Sequence, residues 1–351
     1  MLIYVDATPN ELAACSEAEI EELFSELIRA SLRGHHLILI DRACCDWALE
    51  NLTLNNRERA HLSSLRNAFT QRGALRQHAV FQLTVGVGTF GLQRLGKAFQ
   101  IGHVPLLRGE YLEKAVLLVE NADSDGEFLR HVFHAMNRVH PVKDVMFETR
   151  HGGGSTIVPC FDTELRSKRI VVCLADSDQI APCGGYSSTV KALMKTAELQ
   201  TFVGQLFVTR CREIENHLPI ELIAQHNLCP QYPDFFKLRQ LIQNQIVINE
   251  RERVCLFFDA KNGFLGSTIA GKNYPPAVNQ WLSDHFGQGA DLNTVNIAGL
   301  GEALLQQFLR SGQAMRDLAR YICSEEWRLV FGGFFEEMIW FFAADRKRAA
   351  V

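Results

Sequence analysis

The sequence predicts an α/β protein with a parallel, doubly wound sheet, an N-terminal α/β region and a mainly helical C-terminal region. Three observations predict it. Residues 169–178, RIVVCLADSD, form an unbroken apolar run that ends in two aspartates one residue apart; such a run reads as a strand buried on both faces of a parallel sheet. Strand-like and helix-like segments alternate with short connections as far as about His217, the order that builds parallel sheets. From about Pro230 the apolar spacing becomes helical.

The elements follow in order. Residues 2–6 (LIYVD) and 36–41 (HLILID) read as strands flanking an acidic amphipathic helix, EAEIEELFSELIRASL, whose apolar positions recur at three and four. A second helix is expected over residues 57–72, and AVFQLTVGVGTF reads as a strand entering a glycine turn. Near Lys114 the pattern restarts: strand KAVLLVE, helix EFLRHVFHAMNRV, strand KDVMFET, turn HGGGS, a helix to about Ser167, and strand RIVVCLAD. A helix containing TVKALMKTAEL, the strand QLFVTR and the segment CREIENHLP complete this part. Helices are then expected at DFFKLRQLIQNQI, PPAVNQWLSDHF and GEALLQQFLRSG. The apolar run FGGFFEEMIWFFAADRKR is too interrupted by charge to span a bilayer and reads as a packed amphipathic helix.

The 351 residues, 47% of them hydrophobic, suffice for two domains or one elaborated domain. The expected division is residues 1–110, 111–228 and 229–351. A formal net charge of −4 excludes a globally basic chain, although a local Lys/Arg groove would still hold a phosphate backbone. Ten cysteines without a CxxC pair or a regular framework suit a reducing, cytoplasmic compartment. The N-terminus lacks the basic and apolar blocks of a signal peptide, and no membrane association is expected.

The carboxyl edge of an open α/β sheet is where such folds bind ligands. Asp176 and Asp178 lie there, and Glu120 ends the apolar strand KAVLLVE one unit earlier. Hard oxygen ligands grouped in this way are what Mg²⁺ or Mn²⁺ requires. The alternative is that the aspartates shape a turn. Asp123 and Asp125 follow Glu120 and serve equally well as helix caps. Lys191 and Lys195, four apart on a helix, share a face that either contacts phosphate or is solvated.

A glutamate ending one strand, a glycine turn after the next and an aspartate pair after the third together resemble the TOPRIM domain. That domain is shared by topoisomerases, primases, OLD-family nucleases and RecR-type recombination mediators. The resemblance covers roughly residues 114–217, with Glu120 at the glutamate position, Gly152–Gly154 near the glycine position, and Asp176 and Asp178 as the DxD pair. REIENHLP, residues 212–219, is similar to the Arg-Glu-x-Glu-Asn segment of OLD-like nucleases and of TOPRIM proteins in bacterial defence. Asn121 departs from the glycine that commonly follows the glutamate, and the spacing to Asp125 is one residue longer than usual.

The resemblance implies a Mg²⁺- or Mn²⁺-dependent endonuclease acting on DNA or RNA, with Glu120, Asp176 and Asp178 catalytic. Glu215 and Glu213 would be further metal carboxylates, and Arg212 would bind phosphate. It also implies an antiviral defence effector, with an ATPase or other defence-system protein as partner, or a homo-oligomer. Two other classes stay open: a TOPRIM protein that holds nucleic acid without cutting it, and a structural subunit that contacts a protein partner. HGGGS resembles the oxyanion-hole segment of esterases, but no GxSxG elbow accompanies Ser155. GVGTFG has glycine-loop letters but no following βαβ unit, and a β turn explains it better. His131 and His134 read as packed or exposed helical residues. Asp6 and Asp41 end two early strands, an arrangement similar to PIN-like nuclease domains.

Overall fold

Residues 2–5 and 37–40 are buried at every position, and their parallel pairing starts a five-stranded sheet. The structure, a computed structural model, describes residues 1–228, 235–244, 249, 253–287 and 291–346. The strands of this first sheet are β1 (Leu2–Asp6), β2 (Leu37–Ile40), β3 (Gln82–Gly86), β4 (Gln93–Leu95) and β5 (Ala98–Gly102), in the order β2-β1-β3-β5-β4. All pairs are parallel except β4 with β5. The helix Glu17–Arg33 crosses from β1 to β2 and buries Ile20, Leu23, Phe24, Leu27 and Ile28, the three-and-four stripe of its sequence. It ends at Gly34, whose φ of 70° is the left-handed cap that glycine adopts without strain.

The second sheet is wholly parallel. Its strands are β6 (Ala115–Val119), β7 (Phe147–His151), β8 (Val171–Ala175) and β9 (Gly204–Val208), in the order β7-β6-β8-β9. Every side chain of β6 and β8 is apolar and buried, and alternation sorts them onto two faces. Ala115, Leu117, Val119, Val172 and Leu174 pack with Phe128 and Val132 of the helix Asp125–Met136. Val116, Leu118, Val171 and Cys173 pack with the helices Ile157–Arg166 and Ser188–Leu199. Both faces are therefore covered, and the sheet is doubly wound. Because β7 lies on one side of β6 and β8 on the other, the strand order reverses between β6 and β8.

The C-terminal segment wedges between the two sheets. Phe341 lies 4.4 Å from Phe81 beside the first sheet, and Phe342 lies 4.7 Å from Phe147 of β7. Leu37 N–H donates to Ala343 O at 3.1 Å, while Met146 N–H donates to Phe342 O at 2.9 Å and Ala344 N–H to Asp144 O at 3.0 Å. These bonds explain a departure from the sequence expectation. Strand β7 begins at Phe147 rather than near Lys143, because residues 144–146 give backbone bonds to the C-terminal segment. Residues 333–342 pack as expected, with Phe334, Phe335, Met338, Ile339, Trp340, Phe341 and Phe342 buried and Glu336 and Glu337 partly exposed, but as the short helical turns Gly333–Met338 and Ile339–Phe342 rather than one helix.

Other elements were not expected. The helix Arg42–Asn51 starts directly after Asp41, and β5 is a parallel member of the first sheet. GVGTFG connects β3 to β4 with no helix after it, as a β turn requires. The mainly helical C-terminal region includes an antiparallel pair, β10 (Gly263–Leu265) with β11 (Asn296–Ala298). The expected helix at 301–312 is observed as Leu304–Arg310, and after Ser311 a further helix, Gly312–Ile322, follows that was not expected. Of DFFKLRQLIQNQI, the helix Phe235–Asn244 is observed and the remainder lies outside the described residues. No helix among the described residues is long and apolar enough to cross a membrane.

Candidate functional site

Strand β6 stops at Val119 and β8 at Ala175, so Glu120 and Asp176 are the first residues beyond the sheet on either side of the point where strand order reverses. Neighbouring parallel strands lie about 4.8 Å apart, and the register Val116↔Val171 continues to place Glu120 level with Ala175. The two carboxylates line one polar cleft of about 740 Å³ with Asp125, Glu215, Lys261, His151 and Asn121. Glu302, just before the helix Leu304–Arg310, and Gln306 within it also line the cleft.

Each side chain has a local reason for its place. Gly152 N–H donates to Val119 O at 2.7 Å and Gly153 N–H to Glu120 O at 3.1 Å, so the glycine turn lies directly on the backbone of Glu120. A Cβ on Gly152 would come within 2.6 Å of Ile157, and Gly153 and Gly154 have φ of 68° and 55°; only glycine fits this approach without strain. Asn121 accepts bonds through Oδ1 from the N–H groups of Asp123 and Ser124. These bonds make an Asx turn at the start of the loop. Asp125 folds back on it, accepting from Asn121 N–H at 2.9 Å and from Ser124 Oγ at 2.8 Å.

The aspartate pair is tied to the segment after β9. Ser177 N–H donates to Thr209 Oγ1 at 2.9 Å, Ser177 Oγ to Cys211 O at 2.6 Å, and Asp178 N–H to Arg212 O at 3.0 Å. Asp178 itself has φ of 55°, a left-handed conformation unusual for a residue with a side chain. REIEN then forms the 3₁₀ turn Ile214–His217, in which Glu213 N–H donates to Asn216 Oδ1. Asn216 Nδ2 donates to the carbonyls of Cys255 and Phe258, each at 2.8 Å, and Arg212 pairs with Asp259 at 2.7 Å. These bonds fix the segment that carries Lys261, whose Nζ lies 3.3 Å from Glu215 Oε1.

The electrostatics are those of carboxylates confined together. Burial, then Glu120, Glu215 and Asp125, hold Asp176 well above the ordinary carboxylate range. Burial and then Asp178 and Asp125 raise Glu120. Burial raises Asp125 and Glu215, the latter opposed by Lys261, and pushes Glu213 up to about 7. Burial works against the Lys261 ammonium, but Glu215, Glu213 and Asp176 outweigh it and raise its pKa. Glu213 Oε2 and Glu215 Oε2 are buried without a hydrogen-bond partner, a costly state that a cation would relieve. Among the described residues no three His, Cys, Asp or Glu side chains are close enough together to hold one ion.

The structure thus brings Glu120, Asp125, Asp176 and Glu215 into one cleft. Asp178 is exposed at its margin, near enough for its charge to act on Glu120, and Glu213 is buried behind Glu215. The others do not line the cleft. Asp123 is exposed at the loop, Lys191 and Lys195 are exposed on their helix, and the Arg212 guanidinium is engaged by Asp259. His131 sits 3.3 Å from Glu127 on the exposed side of its helix. Asp41 accepts the Tyr4 hydroxyl at 2.9 Å. Lys261 was not singled out, because FDAKNG carries no motif and reads only as a turn around Asn-Gly. Comparisons with protein-family models, curated proteins and solved structures find no match for this chain.

Proposed function

We propose that this cleft is the catalytic site of a metal-dependent phosphodiesterase of TOPRIM-like architecture that cuts DNA or RNA. The observation that carries the reading is the meeting of Glu120 and Asp176 at the strand-order reversal, with Asp125 and Glu215 in the same cleft. Ligands of open α/β sheets bind at that point. The order of glutamate, glycine turn, aspartate pair and REIEN along β6 to β9 supports the TOPRIM-like assignment.

The oxygen chemistry of the cleft suits Mg²⁺ or Mn²⁺, because its carboxylates are hard ligands and Glu215 Oε2 lacks any partner. Glu120, Asp176 and Glu215 would hold the ion, with Asp178 at the margin, only by closing on it from their present separation. A divalent ion there supplies an activated water and spreads charge on the phosphorus centre. The chain's own residues do the rest. Lys261 balances the carboxylates and offers its ammonium to a phosphate oxygen. The glycine turn keeps side-chain bulk away from Glu120, and Glu302 and Gln306 bound the path of a strand.

A role as an effector of antiviral defence in the cytoplasm, with an ATPase or other defence protein as partner, belongs to the same reading through residues 212–219. A second reading, a TOPRIM-like subunit that binds nucleic acid without cutting it, is favoured by the spread of the carboxylates around Lys261. Labelled single- and double-stranded DNA and RNA, incubated with Mg²⁺ or Mn²⁺ and with chelator, separate the two. Metal-dependent cleavage that disappears in Glu120→Gln and Asp176→Asn supports the first. Salt-sensitive binding without cleavage supports the second.

A further inference from the structure

The turn HGGGS contributes His151, Gly153 and Gly154 to the wall of the acidic cleft, and the carboxylate chemistry leaves its histidine without a task. His151 is the last residue of β7 and stands level with Val119, one position before Glu120 on the neighbouring strand. Its side chain is exposed. Ala122 N–H donates to Nδ1 at 3.3 Å, and a neutral ring that accepts at Nδ1 carries its proton on Nε2. Among the described residues nothing is bonded to Nε2.

The surroundings keep that donor available. A Cβ on Gly153 would stand 3.8 Å from His151 Nε2, and one on Gly154 would meet nothing within 4 Å, so the bare glycines leave the ring edge uncovered. Asp125 shares the cleft, but its oxygens are turned onto Asn121 N–H and Ser124 Oγ. The ammonium of Lys261 is engaged by Glu215. Because β7 and β8 flank β6, His151 and Asp176 stand on opposite sides of Glu120 along the carboxyl edge, two strand spacings or about 10 Å apart. Grouped carboxylates repel a polyanion, so an unengaged N–H beside them fixes where its phosphates rest.

We propose that His151 Nε2–H holds the phosphate next to the one being cut, so that the substrate strand crosses the sheet edge from β8 towards β7 and must carry a phosphate beside the scissile bond. This rests on the reading of the cleft as a phosphodiesterase site. With the scissile phosphate at Glu120 and Asp176, the imidazole reaches its neighbour on the β7 side. His151 is then a substrate-binding residue, and an oligonucleotide is preferred to a dinucleotide with a single phosphate.

Calorimetric titration of the full chain in Ca²⁺ tests the contact with a tetranucleotide, in deoxyribo and ribo form, whose three phosphates are replaced one at a time by neutral methylphosphonate. Wild type binds, and replacing one outer phosphate weakens binding about tenfold. His151→Ala weakens the unmodified tetranucleotide about tenfold and is indifferent to that replacement, while the other two replacements keep their effects. His151→Gln, which retains an N–H at similar reach, restores part of the sensitivity. Both variants keep the wild-type circular dichroism and Mn²⁺ affinity. Additive losses from His151→Ala and every replacement overturn the proposal, because groups that do not touch do not couple. Loss of sensitivity to all three phosphates in His151→Ala marks a structural role and overturns it too, as does absence of binding by wild type. Parallel incubation with Mn²⁺ scores the phosphodiesterase reading separately. Cleavage with additive losses removes only the His151 contact, whereas coupled losses without cleavage support that contact and remove the phosphodiesterase.

Discussion

Lys261 places its ammonium nitrogen 3.3 Å from Oε1 of Glu215, within a group of carboxylates that burial has already made costly to ionise. The lysine comes from the helical C-terminal region and the glutamate from the turn after β9. Asn216 and Arg212 bind the two segments together through Phe258, Cys255 and Asp259. Charge balance at the cleft is therefore supplied by a part of the chain outside the sheet.

Removing that charge leaves a nearly buried glutamate without its cation. Lys261→Met lowers the unfolding free energy in chelator by about 1–3 kcal/mol, below the range for a broken, fully buried pair because the lysine is partly exposed. Urea titration measures it, and Mn²⁺ restores part of the loss. An unchanged midpoint shows that Lys261 does not carry the balance.

Glu213 gives a pH signature. Its folded value of about 7 lies above the ordinary 4.5, so the folded state holds a proton that the unfolded state releases between those values. Stability from this group is full below about 4.5 and falls as pH rises to about 7. His140 and His217, lowered to about 4 by burial, act oppositely below 6.5. The difference between Glu213→Gln and wild type, measured metal-free from pH 4.5 to 7.5, isolates the glutamate. It grows in favour of the variant as pH rises, and a constant difference contradicts the raised value.

Arg212 is held by Asp259, so its loss acts on the scaffold. Arg212→Ala strands a buried carboxylate and destabilises by about 3 kcal/mol. The dependence of nucleic-acid binding on salt keeps its slope. A slope reduced by about one identifies a direct phosphate contact instead.

Phe342 belongs to the wedge between the sheets. Phe342→Ala leaves a cavity against Phe147 and Phe133 and costs about 3–5 kcal/mol in denaturant unfolding. A cost below about 1 kcal/mol would mean that the wedge is not a principal support of the core.

The second sheet was legible because β6 and β8 are uniformly apolar and end in carboxylates, a pattern that local sequence alone carries. Glu120 and Asp176 followed from strand ends. What was not legible depended on pairing across the chain. The helix Arg42–Asn51 was missed: Asp41 stands at its cap position yet makes no side-chain cap and binds Tyr4. The shift of β7 depends on residues 342–344, almost 200 positions away. Lys261 and the engagement of Arg212 by Asp259 arise the same way, from a segment whose sequence resembles a turn. Asn121 shows the reverse case: its Asx turn could have been read from the Asn-x-Asp-Ser run at residues 121–124, since that side chain caps its own loop.

The most direct test of the carboxylate cleft is a Mn²⁺ titration of the chain, followed by loss of the free-ion paramagnetic resonance signal, with wild type beside Asp176→Asn and Glu120→Gln. Saturable binding of one or two ions in wild type, weakened at least about tenfold in each variant while both remain folded, is the predicted result. Equal binding by all three proteins, or no saturable binding by wild type, would contradict it.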